Sequence, residues 1–269
     1  MSRTVLVTGA SSGIGRATSE HFAAKGWNVA ATARTPESLR DLESPGKVAA
    51  FRLDVTDGAS NVAAVAAAIG HFGAIDALVN NAGFAVLGPF EMLEPEQARR
   101  QFDTNVFGLM ETTCALLPHF RQRRAGTVVN VSSIGGRMAF PLLSLYHASK
   151  WAVEGFSEAL MFEVEPFGIR VKLVEPGIIK TDFYGRSMDR AAGSTPTPYD
   201  DLTRKVLPKM DDQGRKGASP AEVARVIYRA ATDGRRKLRY PARDGFALAL
   251  RRLLPEPLFF AMLRFGLSR

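Results

Sequence analysis

The 269-residue sequence has a single cysteine, Cys114. One thiol cannot close an internal disulfide, so the fold must rest on its core, and a reducing, cytoplasmic setting is expected. No apolar run approaches the roughly 20 residues that cross a bilayer. The N-terminal MSRTVLVTGASSGIG passes at once into a strand and a glycine turn, so no secretory leader is expected. The four histidines, His21, His71, His119 and His147, are scattered without partners at ligand spacing, and no metal centre is expected. Acidic charge is scarce in one place. The formal net charge is +8, yet from Arg235 to Arg269 nine Lys/Arg face only Asp244 and Glu256. A basic tail, with no nucleic-acid motif beside it, argues against a nucleic-acid partner.

What is present is a regular alternation. TVLVTGA, NVAATAR, VAAFRLDVTD, IDALVNNAG, GTVVNVSS and IRVKLVEPG are short apolar runs with strand character, and KLRYP adds a last one. Helical stretches separate them: GRATSEHFAAKG ending at Gly26, NVAAVAAAIGHFG, a long helix after Glu94, another from Tyr146 to about Glu165, and SPAEVARVIYRAATDG. In the last of these Ser219 is the cap, Pro220 the first turn, Glu222 the capping-box partner and Gly234 the stop. Strands alternating with helices predict an α/β fold, with a parallel sheet of about seven strands covered on both faces. Residues 1–243 form one catalytic domain on this reading, and 244–269 form a basic amphipathic helical tail. Between about 181 and 220 the period is lost, as in a functional loop or lid.

The loop TGASSGIG sets Gly9, Gly13 and Gly15 between a strand and a helix. Such a loop lets backbone N–H groups and a helix N-terminus approach a pyrophosphate, although a strand–helix turn alone can also demand small residues. The second strand ends TARTPE, where many dinucleotide sites hold an acid for the adenosine ribose. Ala33 and Arg34 stand there instead. A guanidinium suits a 2′-phosphate and no carboxylate repels it, which favours NADP(H) over NAD(H); a solvated surface Arg is the alternative. Asp54, at the end of the third strand with Val55, can accept from an adenine amino group or simply cap the strand end.

Together the motifs TGASSGIG at 8–15, DV at 54–55, NNAG at 80–83, Asn105 in TNVFG, NVSS at 130–133, YHASK at 146–150 and PG at 176–177 resemble the short-chain dehydrogenase/reductase family, in order and spacing, over about residues 4 to 240. The overall look resembles its hydroxysteroid/retinol dehydrogenase-like branch. The resemblance implies a single doubly wound Rossmann-type domain, a nicotinamide cofactor, and interconversion of a secondary alcohol and a carbonyl. It implies Tyr146 as the general acid/base, Lys150 on the nicotinamide ribose, Ser133 on the substrate oxygen and Asn105 in a water relay. It places Gly9, Ser11, Ser12, Gly13, Ile14, Gly15, Asn81, Ala82, Gly83, Pro176, Gly177, Ile179 and Thr181 around the cofactor. A homodimer or homotetramer through the two long helices is implied as well. Physical chemistry agrees that Tyr146 and Lys150, at i and i+4, share a helix face. A neighbouring ammonium and the positive ring of an oxidised nicotinamide are expected to lower the phenol from its ordinary pKa of about 10. His147 is expected to point elsewhere, as a structural residue.

Phe183, Tyr184 and Met188, with Phe140, Pro141 and Leu142 opposite, suggest an apolar wall and a hydrophobic substrate such as a steroid, retinoid, long-chain or aromatic carbonyl. In the tail, Phe246, Leu250, Leu253 and Leu254 form one apolar face beside Arg251 and Arg252, and Leu258, Phe259, Met262 and Leu263 a second. These faces either pack over the substrate mouth or a partner subunit, or rest peripherally on an anionic membrane. Three other functions compete: a non-catalytic NADP(H)-sensing protein, a reductase of another small carbonyl such as a ketoacyl thioester, and an epimerase or dehydratase of nucleotide sugars. The intact Asn105, Ser133, Tyr146 and Lys150 count against the first. The length and the Gly13-Ile14-Gly15 loop count against the last.

Overall fold

A computed structural model describes residues 2–180, 188–190 and 196–268. Its elements, in chain order, are β1 Thr4–Val7, α1 Gly13–Ala24, β2 Asn28–Ala33, β3 Val48–Arg52, α2 Gly58–Phe72, β4 Ala77–Asn80, β5 Ala85–Leu87, α3 Pro95–Phe102, α4 Gly108–Arg123, β6 Gly126–Val131, α5 Ser144–Val164, β7 Ile169–Pro176, β8 Met188–Arg190, α6 Asp200–Lys216, α7 Pro220–Thr232, β9 Arg239–Ala242, α8 Gly245–Leu253 and α9 Glu256–Ser268. The main sheet has seven strands in the order β3-β2-β1-β4-β6-β7-β9, and every neighbouring pair is parallel. The chain moves outward from β1 in one direction and then from β4 in the other. The crevice for a ligand therefore opens at the carboxyl ends of these two strands.

Both sheet faces are covered, which explains why the strands read as unbroken apolar runs. Phe22 and Trp27 with Val223 and Ile227 fill one side; Val65, Leu116, Phe120 and Leu160 fill the other. Buried amides fix the helices nearest the crevice. Asn80 Nδ2 donates to Thr113 Oγ1 at 2.8 Å and to Asn130 Oδ1 at 2.9 Å, while Asn130 Nδ2 donates to Ser157 Oγ at 2.8 Å. Two sheet strands are thereby locked to α4 and α5, although Asn80 Oδ1 itself is buried without a hydrogen bond among the described residues.

Three expectations need correction. The long helix after Glu94 is two helices joined by a π-helical turn at Asp103–Phe107, a feature that sequence period does not reveal and that recurs at functional sites. The aperiodic stretch around 181–220 contains the 17-residue helix α6. Its apolar stripe is short, Val206, Leu207 and Met210 packing inward, and is interrupted by Pro208 and surrounded by charged residues tied in near-neighbour pairs such as Lys216–Asp212 at 2.7 Å, so the helical period is hard to read in the sequence. The same stretch supplies β8, which pairs in parallel with β5. In the tail, the predicted α8 face is split. Phe246 and Leu253 are about four-fifths exposed, at 80% and 79%, whereas Leu248 and Leu254 turn inward with Phe260 and Leu263 around Ile134, Met138 and the fully buried Phe259. The short helix lies on the loop after β6, and that contact decides which side is covered.

Candidate active site

The described residues enclose a cleft of about 1620 Å³ at the reversal point of the sheet, larger than the roughly 300–1,000 Å³ of an ordinary small-ligand pocket. At one end lies the glycine loop. Ser12 is the N-cap of α1 and leaves the first N–H groups of the helix without a side-chain partner, a local arrangement suited to phosphate. Here the small residues are obligatory. A Cβ on Gly15 would fall 2.2 Å from Gly9 O, and one on Gly9, at φ +66, would lie 3.0 Å from Ala82 Cα. Asn81 fastens the same loop, its Nδ2 donating to Thr8 O at 3.0 Å and Gly9 O at 3.2 Å. Gly9, Ser11, Ser12, Gly13, Ile14, Asn81, Ala82 and Gly83 all line the cleft; Gly15 stands behind it.

Arg34, exposed at the end of β2, lines the far end of the cleft with Thr35 and Ser38. Arg16, the other arginine near this loop, is already committed to Glu20 at 3.1 Å and Asp41 at 2.7 Å. Asp54 accepts from Thr56 N at 3.1 Å and Thr56 Oγ1 at 2.8 Å. It thus forms the strand-end cap and, with Val55, also lines the cleft. Pro176, Gly177 and Ile179 close the opposite wall. These open glycine cradles, the helix end without a side-chain cap and the Arg34 guanidinium, which pairs with no carboxylate among the described residues, fit a dinucleotide cofactor.

At the centre, α5 presents Tyr146 and Lys150 to the cleft, and the end of β6 presents Ser133. Ser133 hydrogen-bonds the Tyr146 phenol and accepts from Gly135 N at 3.0 Å. Lys150 Nζ donates to Val131 O at 2.9 Å and lies 5.8 Å from the centre of the Tyr146 ring. Burial, opposed by Glu154, brings the Lys150 ammonium down to about 8. Burial also pushes the Tyr146 phenol above its ordinary value, partly countered by the Ser133 hydrogen bond. The lowering expected from sequence counts the positive ring of an oxidised nicotinamide as well; in the protein alone desolvation dominates and disfavours phenolate.

Asn105 lies in the π turn and is buried. Its Oδ1 accepts from Phe84 N at 3.0 Å, and its Nδ2 donates to Phe84 O at 2.9 Å and Ser149 Oγ at 3.1 Å. It joins the cofactor loop to α5; a Cβ on Gly83 would lie 3.0 Å from its Oδ1 and 3.8 Å from Lys150 Nζ. His147 is structural, but it sits at the cleft rather than away from it. Its Nε2 accepts from Phe140 N at 2.9 Å and its Nδ1 lies 2.9 Å from Gly135 O. That pattern requires a neutral ring protonated at Nδ1, and burial lowers its pKa accordingly. Sequence reasoning overlooked this staple across the Ser133 loop, although a buried histidine next to Tyr146 was the available signal.

On the substrate side Phe140, Pro141 and Met188 line the cleft as expected, joined by Leu143, Val206 and Met210. Leu142 does not line it: at φ +66 its side chain turns into the small cluster with Ala85 and Leu87. Phe260, Met262 and Leu263 bring α9 to the rim. Thr181, Phe183 and Tyr184 lie outside the described residues.

The comparisons with known proteins agree with this geometry. Residues 3–191 match the family model described as short chain dehydrogenase, and the chain belongs to the short-chain dehydrogenase/reductase family. It is 40% identical to an uncharacterized oxidoreductase of Bacillus subtilis over 258 residues, covering 92% of this chain and 91% of that one. It is 39% identical to a 3-ketodihydrosphingosine reductase of Bacteroides thetaiotaomicron over 224 residues, 83% of this chain and 81% of that one. Among solved structures, a short-chain dehydrogenase from Streptomyces avermitilis matches with TM-score 0.82 and 38% identity, covering 93% of this chain and 94% of that one. A Burkholderia phymatum relative in complex with NAD has TM-score 0.79 at 26% identity, over 94% and 92% of the two chains. ElxO with NADP bound has TM-score 0.74 at 25%, over 90% and 98%. The protein is thus an oxidoreductase of this family with a nucleotide-binding Rossmann fold.

Proposed function

We propose that the protein is an NADP(H)-dependent reductase or dehydrogenase that interconverts a secondary alcohol and a carbonyl on a hydrophobic, long-chain substrate. The observation that carries this is the convergence of Ser133, Tyr146 and Lys150 on one cleft, with glycine-loop N–H groups at one end and apolar side chains at the other. When bound, the nicotinamide supplies or accepts the hydride. The chain's own residues handle the proton and the oxygen. Ser133 orients the carbonyl oxygen by hydrogen bonding. Tyr146 donates its phenolic proton to that oxygen during reduction and recovers it in the reverse direction. Lys150, as a cation, favours the resulting phenolate and binds the ribose hydroxyls. Asn105, at the π turn, ties the cofactor loop to α5 and lies behind Lys150 on the path of proton supply.

Arg34, with no carboxylate partner among the described residues, favours the 2′-phosphate of NADP(H). The lining by Phe140, Leu143, Met188 and Met210 favours an apolar chain, and the likeness to a 3-ketodihydrosphingosine reductase points the same way. Trp151 and Phe162, exposed at 52% and 70%, share a face of α5 at three-turn spacing, which supports a homodimer or homotetramer through that helix. No helix among the described residues is long and apolar enough to cross a membrane. The tail nonetheless exposes Phe246, Leu253, Leu258 and Phe265 beside Arg252 and Arg264, an arrangement suited to peripheral contact with an anionic lipid surface in an otherwise cytoplasmic protein.

A carbonyl panel read by NADPH absorbance tests the function. Turnover of long-chain β-keto substrates is expected, and Tyr146→Phe is expected to bind NADPH normally with turnover reduced about 10³-fold. Near-normal activity of that variant would sink the mechanism. Flotation with anionic vesicles tests the tail; a protein that stays at the bottom has no such contact.

A further inference from the structure

Beneath the active site lies a cluster of charge that the proposed reaction does not use. Glu154 follows Lys150 by one turn of α5 and is 5% exposed; Glu175, the residue before Pro176, is 1% exposed. Two arginines reach this pair. Arg239, from β9, has its Nε 2.9 Å from Glu154 Oε2 and 3.4 Å from Glu175 Oε1, and its other arm bonds Glu158. Arg137, from the turn after β6, lies 3.3 Å from Glu175 Oε1. Ser132 faces the Glu154 carboxyl; its Oγ and Glu154 Oε1 are both sealed from solvent without a hydrogen bond of full geometry. Gly136 lets the loop close over them. A Cβ there would fall 2.7 Å from Ser132 Oγ, 2.9 Å from Glu154 Cγ and 3.1 Å from Lys150 O. The segments that supply Ser133, Lys150 and Pro176 therefore meet at one buried acidic pair.

Two carboxyls buried together are costly unless they are paired and hydrogen-bonded, and here Arg239 and Arg137 pair them. We propose that Glu154 is a positioning residue: clamped by Arg239 beneath the Ser133 loop, its carboxylate is the counter-charge that keeps the buried Lys150 a cation. The role in turnover rests on the reaction proposed above, whereas the electrostatic role exists in the protein by itself. Burial alone drives Lys150 toward the neutral amine and Glu154 opposes it, leaving the group at about 8. Both acids are raised by desolvation. Glu175, up to about 7, takes a proton first, since Glu154's charge pushes against it and its arginine contacts are the longer ones. Glu154 is held at 2.9 Å by Arg239, the closer counter-ion contact of the pair, and that contact favours its charged form. The groups facing Lys150 and Glu154 are Tyr146 and Glu158 on α5, Ser132 and Arg137 on the β6 side, Glu175 on β7 and Arg239 on β9.

The test is a titration of protein labelled with [13Cε]lysine, without cofactor, with the Lys150 resonance assigned by its loss in Lys150→Arg. The wild-type midpoint is expected near 8. Glu154→Gln is expected to lower it by about one unit, and Glu154→Asp, which keeps the charge, to hold it near wild type. Should Glu154→Gln not fold, Glu154→Met removes the same charge at similar length. A midpoint unmoved in the neutral variants, with only thermal stability lost, would overturn the proposal. In turnover the alkaline limb of kcat is expected to move down by the same amount. A shifted midpoint in a protein that turns over no carbonyl would refute the reaction and leave the counter-charge standing.

Discussion

The two ends of the cleft are built from different material. The cofactor end is backbone: a glycine loop, a helix N-terminus and strand ends whose spacing tolerates no extra atom, as the 2.2 Å approach of a Gly15 Cβ to Gly9 O shows. The substrate end is side chain: Phe140, Leu143, Met188, Met210 and Phe260, drawn from four separate segments and replaceable by other apolar residues. The first end is specified by geometry and the second by volume and polarity. Damage to the first should be abrupt and damage to the second graded.

Substitutions can break that contrast. Gly15→Val is expected to produce the largest effect, a loss of NADPH affinity of at least about 100-fold by fluorescence titration, since overpacking against backbone cannot relax; tight binding by the variant would deny the geometric account. Arg34→Asp comes next, with the NADPH/NADH ratio of kcat/KM expected to fall about tenfold or more through loss of a charged pair. An unchanged ratio would show that Arg34 does not read the phosphate. Phe260→Ala, at the substrate rim, is expected to raise KM for a long-chain carbonyl only several-fold and to leave cofactor affinity unchanged. A collapse of cofactor binding there would join the two ends after all.

The smallest effect concerns Glu175, which belongs to neither end. Its carboxyl is raised to about 7 in the folded protein from an unfolded value of about 4.3. Between those values the folded state holds the extra proton, so this group's stabilising contribution is complete below the unfolded value and is lost as pH rises through about 7. Glu175→Gln is accordingly expected to be more stable than wild type at pH 8, by about 1 kcal/mol or more, and to gain least at pH 4, below the unfolded value. Urea melts at the two pH values measure this, and an equal effect at both would mean that Glu175 does not hold the proton.

The same contrast governs what the sequence disclosed. The backbone-defined end was legible because glycine spacing, Asn81 and the Tyr146–Lys150 interval are local patterns. The described residues named for the cofactor all line the cleft, except Gly15, which supports it from behind. The side-chain end was legible only as a tendency. Val206 and Met210 arrive on a helix whose polar surface conceals it, and Leu143 replaces Leu142 because one residue takes a left-handed conformation. Glu154 and Glu175 lie far apart in the chain, and only the closing of the sheet makes them neighbours. The raised phenol of Tyr146 was hidden for a related reason, since spacing places an ammonium nearby but says nothing of the water removed.

The π turn at Asp103–Phe107 also bears on how the protein can change. Such a turn holds one residue more than an α-helix over the same span. Deleting one residue there would restore the regular helix with α3 and α4 nearly in their present register. Gln101, which donates to Phe84 O at 3.3 Å and accepts from Val86 N at 3.1 Å, would keep its place on α3, whereas the widened turn that brings Asn105 to Phe84 and Ser149 would be lost. The extra residue is therefore spent on aiming one side chain: a one-residue gap here spares the fold and removes Asn105 from its partners.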